Sequence, residues 1–354
     1  MFKLSAIVYF LFCSLCYSDS VSVLFLGDTF FGSTQKSTFS YRTSPLYDSS
    51  LSYDRFFENV ASILFGSGAV ICNLETPLTE KTRIISSRKP YIHTADPDSA
   101  VKYFNKYNIG YVNLGNNHVF DMGTAGFEQT TASLNRGNIN FFGAGSNTEE
   151  SIKPLILNKG GTRIIIFGGF EYRPNYDTLY HFYAGENSPG INMLDTIVLN
   201  ERIIYYKNLY PGSKIIIFPH WGSNYGEVNE RQINFAHSWI NAGADAVIGH
   251  GSHTVQQIEL YRNKYIFYGI GNFIFNAPGR YSAAGAKPYG LMLKMIFPDT
   301  GTEFILYPVF TDNKITNYRL RLLNETEILD FEELYLKNKF KYSKSSMDSF
   351  TLNP

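Results

Sequence analysis

Cysteine is almost missing from this sequence: three residues in 354, at positions 13, 16 and 72. The first two fall in an N-terminal leader, which leaves Cys72 alone and excludes an internal disulfide from the mature chain. Excess charge is missing too. Thirty-one Lys and Arg balance 31 Asp and Glu, so no global field draws the chain to nucleic acid or anionic lipid. Past the leader, no run approaches the roughly 20 apolar residues that a membrane span needs. Internal repeats and low-complexity linkers are absent as well. With 44% apolar and 18% charged residues the chain can still build a sizeable core. Its 26 Tyr and 29 Phe point to a strand-rich core rather than a carbohydrate-stacking surface.

The first twenty residues differ from the rest. Lys3 precedes an apolar stretch from Leu4 to Leu15, and Cys16-Tyr17-Ser18 offers small residues at a cleavage point. That layout predicts a secretory signal peptide over 1–20, or an uncleaved N-terminal anchor. The remainder is then exported: secreted, periplasmic or held at the cell surface.

Strands are expected over 21–26, 69–72, 111–114, 163–168, 214–218, 246–248 and 265–269. Helical spacing falls between them over 54–64, 99–107, 126–136 and 229–241. Such alternation implies crossover connections and largely parallel pairing. Near residue 287 the pattern changes to strands over 291–297, 304–310 and 315–322 joined by tight turns, then a helix over 328–336. One domain over 21–340 and a disordered tail over 341–354 are expected.

Six short polar motifs each close an apolar run. They are Leu26-Gly27-Asp28, Cys72-Asn73-Leu74-Glu75, Asn116-Asn117-His118, His220-Trp221-Gly222, Gly249-His250-Gly251-Ser252-His253 and Gly271-Asn272-Phe273. Loops leaving the C-terminal ends of buried strands are where α/β proteins gather their chemistry. The groups gathered are Asp, Glu, Asn and His, which suit divalent metal ions better than a nucleophilic triad or a nucleotide-cradling loop.

Each motif also has a plainer reading. Asp28 is a metal carboxylate or a turn residue, and Glu75 a ligand or a surface ion pair. Asn116 and Asn117 form Asx turns or complete a metal shell. His118, a group that titrates near neutrality, is placed to protonate a leaving group, with Asp121 to orient it or to cap a helix. Three imidazoles at strand ends, His220, His250 and His253, favour metal binding. His93, His181 and His237 lack that context and read as structural or surface residues. Arg83, Arg88 and Lys89 form a basic loop that contacts an anionic substrate or is simply solvated.

Taken in order, these motifs resemble the CapA family, a capsule-synthesis family linked to poly-γ-glutamate and related to the calcineurin-like metallophosphoesterases. The resemblance runs from about Val21 to Phe275. It implies an α/β fold, a four-layer αββα sandwich of two mixed sheets, with a dimetal site along one edge. It further implies Asp28, Glu75, Asn117, His220, His250 and His253 as ligands of two divalent ions (Mn, Fe or Zn), with Asn73 the rival of Glu75. His118 and Asp121 would be the acid and its orienting group, and Asn116, Asn272 and Arg42 the substrate contacts. Two such ions, commonly ~3.5–4 Å apart, activate a water and clamp a tetrahedral transition state. The expected substrate is an anionic polymer or a phosphoester, the expected partners membrane-bound polymer-synthesis components, with no nucleic acid. The competing expectation is a non-catalytic, polymer-binding component of a capsule machine.

Overall fold

A computed structural model describes residues 22–30, 32–36, 39–43, 53–80, 89–277, 279–298, 301–345 and 349–352. The expected leader lies outside them, as do Arg83 and Arg88.

The strand Ser22–Phe30 is buried along its whole length, and its alternation explains the architecture. Leu24 and Leu26 point into one apolar cluster, Val23 and Phe25 into another. Val70 and Cys72 against Ala69 and Ile71 repeat the pattern on the neighbouring strand Ala69–Leu74. In a second sheet, Ile164, Ile166, Ile216 and Phe218 face the middle cluster, while Ile165, Phe167, Ile215 and Ile217 face a third. A strand buried on both faces reads as a continuous apolar run, which is why these runs announced themselves in sequence.

Three apolar layers require four structural ones. The outer clusters are closed by helices Pro97–Lys106 and Gly123–Arg136 on one side, through Ala100, Phe104, Phe127 and Leu134. On the other side lie Thr196–Leu209 and Glu230–Ala242, through Leu199, Ile203, Ala236 and Trp239. The expected αββα sandwich of two mixed sheets is what forms.

Among the described residues the larger sheet has ten strands, with Glu303–Phe310, Tyr289–Ile296, Ser22–Phe30, Ala69–Leu74, Tyr111–Asn113 and Asn140–Phe142 in spatial order along it. Asn272–Phe275 also pairs with Ser22–Phe30, in parallel. The smaller sheet has seven, with Thr162–Glu171, Lys214–His220, Ala246–Ile248 and Lys264–Phe267 parallel at its centre.

Two expectations fail. Residues 315–322 were to form a strand, but Asn313–Thr316 is a helical turn capped by Asp312, and only Arg321–Leu322 is extended. Asn317 and Tyr318, at φ 49° and 62°, take the left-handed backbone that ends the turn. The described residues of the tail are not disordered either. Tyr342–Lys344 and Phe350–Leu352 form a hairpin that extends the larger sheet against Glu303–Phe310. Phe350 and Leu352, two residues apart, are both fully buried in the middle cluster. A free strand edge and two alternating apolar side chains outweigh the polar composition around them.

Among the described residues, no helix is long and apolar enough to cross a membrane.

Candidate metal centre

The two sheets bring the C-terminal ends of their parallel strands to one place. In the larger sheet Asp28 pairs with Asn272 on one side and Asn73 on the other, and Asn73 pairs with Asn113. In the smaller sheet His220 bridges to His250. Four polar residues in one row therefore face a pair of imidazoles.

Two glycines make the approach possible. The register slips between Leu26 and Asp28, and a Cβ on the intervening Gly27 would sit 1.8 Å from the Gly271 carbonyl. Gly251 has φ +99°, and a Cβ there would press to 3.0 Å on the His220 ring. His253, two residues on, also holds a left-handed backbone (φ 60°), a conformation that costs about 1–3 kcal/mol and persists only where surroundings enforce it.

Asp28 is completely buried. Its Oδ1 accepts a bond from Asn73 Nδ2 at 2.9 Å, and its Oδ2 one from the Gly251 N–H at 3.0 Å. Around the same carboxylate stand His250 Nδ1 at 3.3 Å, His253 Nδ1 at 3.4 Å and His220 Nδ1 at 3.8 Å. The Nδ1 atoms of His220 and His250 are 3.1 Å apart. Glu75, equally buried, lies with Oε1 3.8 Å from His118 Nε2 and 3.9 Å from His253 Nε2.

Two sets of ligand atoms result, Asp28–His220–His250 and Asp28–Glu75–His253, each gathered within 4.8 Å. Asp28 belongs to both, and these buried groups could hold a metal ion. The donor chemistry fits one. Neither Glu75 oxygen has a hydrogen-bond partner, and neither does the buried Oδ1 of Asn117. Buried acceptors without donors are costly, and an oxygen- and imidazole-binding divalent cation would satisfy such a set.

The electrostatics agree. Burial alone would raise the Asp28 carboxyl, but hydrogen bonds with His250 and His253 and the charges of His253 and His220 hold it well below its usual range. Burial, then the charge of Asp28, pushes Glu75 well above its usual range. His253 is raised to about 9: burial opposes the shift, and Glu75 and Asp28 overcome it. Burial, with partial opposition from Asp28, keeps His220 well below the ordinary imidazole value.

His118 stands beside this set. Its Nδ1 is 2.7 Å from Asp121 Oδ2, the contact expected of an orienting carboxylate. Lys89 Nζ lies 2.7 Å from Asp121 Oδ1 and 2.9 Å from His118 Nδ1, and donates to the Tyr91 carbonyl at 3.1 Å. One Nδ1 cannot both donate to Asp121 and accept from Lys89. The shorter, charge-assisted bond assigns its proton toward Asp121, which leaves Nε2 facing Glu75. Burial, then the Lys89 charge, keeps the His118 ring well below its usual range. Burial also raises Asp121, against the pull of Lys89.

Other expected residues fall differently. Asn117 is half-buried, with Nδ2 3.5 Å from the Tyr176 hydroxyl. Asn116 was expected at the substrate, but its side chain turns inward. It bonds the His118 and Val119 N–H groups, the Leu74 carbonyl and Asn73. Asn272 is likewise committed internally, with Oδ1 2.9 Å from His253 Nδ1 and Nδ2 donating to the Tyr281 hydroxyl at 2.8 Å. Both hold the site together rather than face its opening. Arg42 lies in the strand Phe39–Thr43, whose side chains are outside the description.

Sequence reasoning missed three residues. Asn113 Nδ2 lies 3.3 Å from both Asn73 Oδ1 and His250 Nε2. It ends a buried strand and lies in one row with Asp28 and Asn73, near the C-terminal ends of theirs, so alignment of strand ends would have found it. Lys89, read as part of a loop, is 1% exposed. His93, read as structural or surface, has its ring 3.9 Å from that of His118, tilted by 35°, and its backbone N–H donates to Asp121 at 2.6 Å. Nothing in the local sequence of either signals burial.

Residues 22–277 match the family model described as bacterial capsule synthesis protein PGA_cap. The chain is 28% identical over 263 residues to the PGA biosynthesis protein CapA of Bacillus subtilis (strain 168), covering 73% of this chain and 65% of that protein. It is 28% identical over 231 residues to the capsule biosynthesis protein CapA of Bacillus anthracis, covering 63% and 54%. A Mycobacterium tuberculosis protein named as a probable polyglutamine synthesis accessory protein is 29% identical over 279 residues, covering 75% and 71%. The chain thus spans 65% and 54% of the lengths of the two Bacillus proteins.

Proposed function

The chain belongs to the bacterial capsule synthesis family PGA_cap, and from that premise we propose that it is an exported, metal-dependent hydrolase of a phosphoester or a γ-glutamyl-type bond. The observation that carries the reading is Asp28, shared by two buried ligand sets beside a Glu75 carboxylate that has no hydrogen-bond partner. A shared carboxylate between two sets supports two divalent ions (Mn, Fe or Zn). His220 and His250 would serve one and Glu75 and His253 the other, with Asn117 Oδ1 a further donor. Asn73 is already spent on Asp28, Asn113 and Asn116, which favours Glu75 as the acidic ligand.

Bound ions of this kind supply an activated water and stabilise charge that develops on the reacting group. The chain's own part is positional. Asp121 fixes the His118 ring through Nδ1, so Nε2 is the atom that gives or takes a proton at the leaving group. Asn272 fixes His253, and the bulge at Gly27 fixes Asp28. Burial of the whole set excludes bulk water and strengthens each of these interactions.

The name of the mycobacterial relative supports a second reading, a polymer-binding accessory component without turnover. The His118–Asp121 pair argues against it, because a polymer clamp has no use for an oriented imidazole nitrogen, able to exchange a proton, held beside its ligands. The deciding experiment purifies residues 21–354, measures bound metal by elemental analysis, and assays bis(p-nitrophenyl) phosphate and a γ-linked glutamate oligomer with and without Mn²⁺. Metal-dependent turnover of either supports the hydrolase. A chain that retains no metal and turns over neither would end that reading.

A further inference from the structure

Arg280 lies exposed at the rim of the centre, and no carboxylate is within ion-pair distance of it among the described residues. It is nonetheless held in place. Its guanidinium carbon sits 5.8 Å from the centroid of Tyr91 and 5.6 Å from that of Tyr225. Tyr225 in turn is 5.7 Å, ring to ring, from His253. Three distant stretches of chain thus converge to set one cation a single aromatic ring away from the buried ligands.

The backbone beneath it is fixed as well. The next residue, Tyr281, is buried and packs edge-on against Tyr225 at 5.1 Å. Its hydroxyl accepts the bond from Asn272, which also holds His253. A guanidinium held between two rings and hydrogen-bonded to Tyr225 loses little freedom when it binds, and its planar fork matches a carboxylate or phosphate with two parallel bonds. Surface arginines without such an arrangement sample many rotamers and recognise little.

We propose that Arg280, held beside Tyr91 and Tyr225, binds an oxyanion of the substrate that lies outside the reacting bond. The group is a carboxylate, as along a γ-linked polymer of glutamate, or a second phosphate. The assignment rests on the hydrolase reading for what occupies the metal centre, yet Arg280 itself is tested by binding alone.

Equilibrium binding is measured in excess chelator with wild type, Arg280→Ala and Arg280→Lys. The probes are a γ-linked glutamate hexamer, the same hexamer with its α-carboxyls amidated, and inorganic tripolyphosphate. Removing one charge-assisted, two-pronged contact should weaken the anionic probe that binds by about tenfold or more. Lysine should restore only part, and the amidated hexamer should not respond. Which anion binds identifies carboxylate or phosphate as its source.

Equal affinity of wild type and Arg280→Ala for both anions overturns the proposal, as does a wild type that binds neither. Full recovery with lysine overturns the two-pronged, planar contact. Metal-dependent turnover with Arg280→Ala affinities unchanged would sink this inference and spare the hydrolase. Arg280-dependent anion binding by a chain without metal or turnover would do the reverse.

Discussion

Glu75→Gln is predicted to stabilise the metal-free chain at neutral pH and to remove its response to metal, two effects of opposite sign from one side chain. Both carboxylate oxygens are buried without a hydrogen-bond donor, and the nearest imidazole nitrogens stand 3.8 and 3.9 Å away. In the unfolded chain this carboxyl ionises near its ordinary value of 4.5, whereas burial and the Asp28 charge raise it well above that in the folded chain. An acid raised by folding contributes stability that is fully present below the unfolded value and is lost as pH climbs through the folded one. Glutamine has no proton to lose. Variant and wild type should therefore be close near pH 4.5 and diverge above it. A tenfold change in an ionisation constant is worth about 1.4 kcal/mol, so a gap of about 1–3 kcal/mol in favour of glutamine is expected at neutral pH.

Metal reverses the order. A ligand that binds only the folded state at ~100 times its dissociation constant adds about 2.7 kcal/mol. Wild type should gain that increment with Mn²⁺, while Glu75→Gln, deprived of an anionic donor, should gain little of it. Urea unfolding across pH, in chelator and then in Mn²⁺, reads both effects. A glutamine variant less stable than wild type in chelator that keeps the full metal-dependent gain would refute the reasoning. Glu75 would then be an ordinary partnered residue and not a carboxylate waiting for a cation.

Three further outcomes are expected. His118→Asn should keep its bound metal by elemental analysis but turn over substrate ~10²–10⁴-fold more slowly; loss of metal would show that His118 is a ligand. Asp245→Asn should cost about 2 kcal/mol, the scale of lost hydrogen bonds to a charged group, because Asp245 accepts Lys207 at 2.6 Å, Lys264 at 2.8 Å and the Ile215 N–H at 2.9 Å. Although burial opposes it, the two lysines hold the Asp245 carboxyl below its usual 3.8, so this difference should persist above that pH and fade as pH falls below it, in urea titrations at several pH values. Phe350→Ala should lower stability by about 3–5 kcal/mol as a core deletion, and a neutral urea midpoint would mean that the C-terminal strand is not docked.

Elements buried on both faces were legible, and those on the margins were not. Lys214–His220 and Ala246–Ile248 are nearly unbroken apolar runs because each faces two clusters. The helix Thr196–Leu209 escaped detection because its apolar residues fall on every side. Leu199 and Ile203 are buried, yet Ile197 is 70% and Tyr205 55% exposed, so no 3.6-residue period emerges. The antiparallel strands Leu155–Lys159 and Ile258–Tyr261 sit at the sheet margins, only partly buried, where length and hydrophobicity both fall below a recognisable signal.

In the site, residue type was legible and pairing was not. Asp28, His220 and His250 could be nominated because each closes a buried strand or follows one directly, and parallel strands end on a common edge. Which atoms then meet depends on register, and register is decided by features with no local signature, such as the bulge at Gly27 and the left-handed backbone of His253. Asn73 and Glu75 illustrate the difference. Two residues apart in one motif, they are equivalent candidates by type. Folding spends the Asn73 amide on Asp28, Asn113 and Asn116, and leaves Glu75 buried with nothing to accept from. A buried polar group that lacks a partner is a more selective sign of a missing ligand than its identity. By that criterion Glu75, which also falls in a ligand set with Asp28 and His253, and the Asn117 carbonyl oxygen are the candidates to test, whereas Asn116 and Asn272 make their contacts among neighbours.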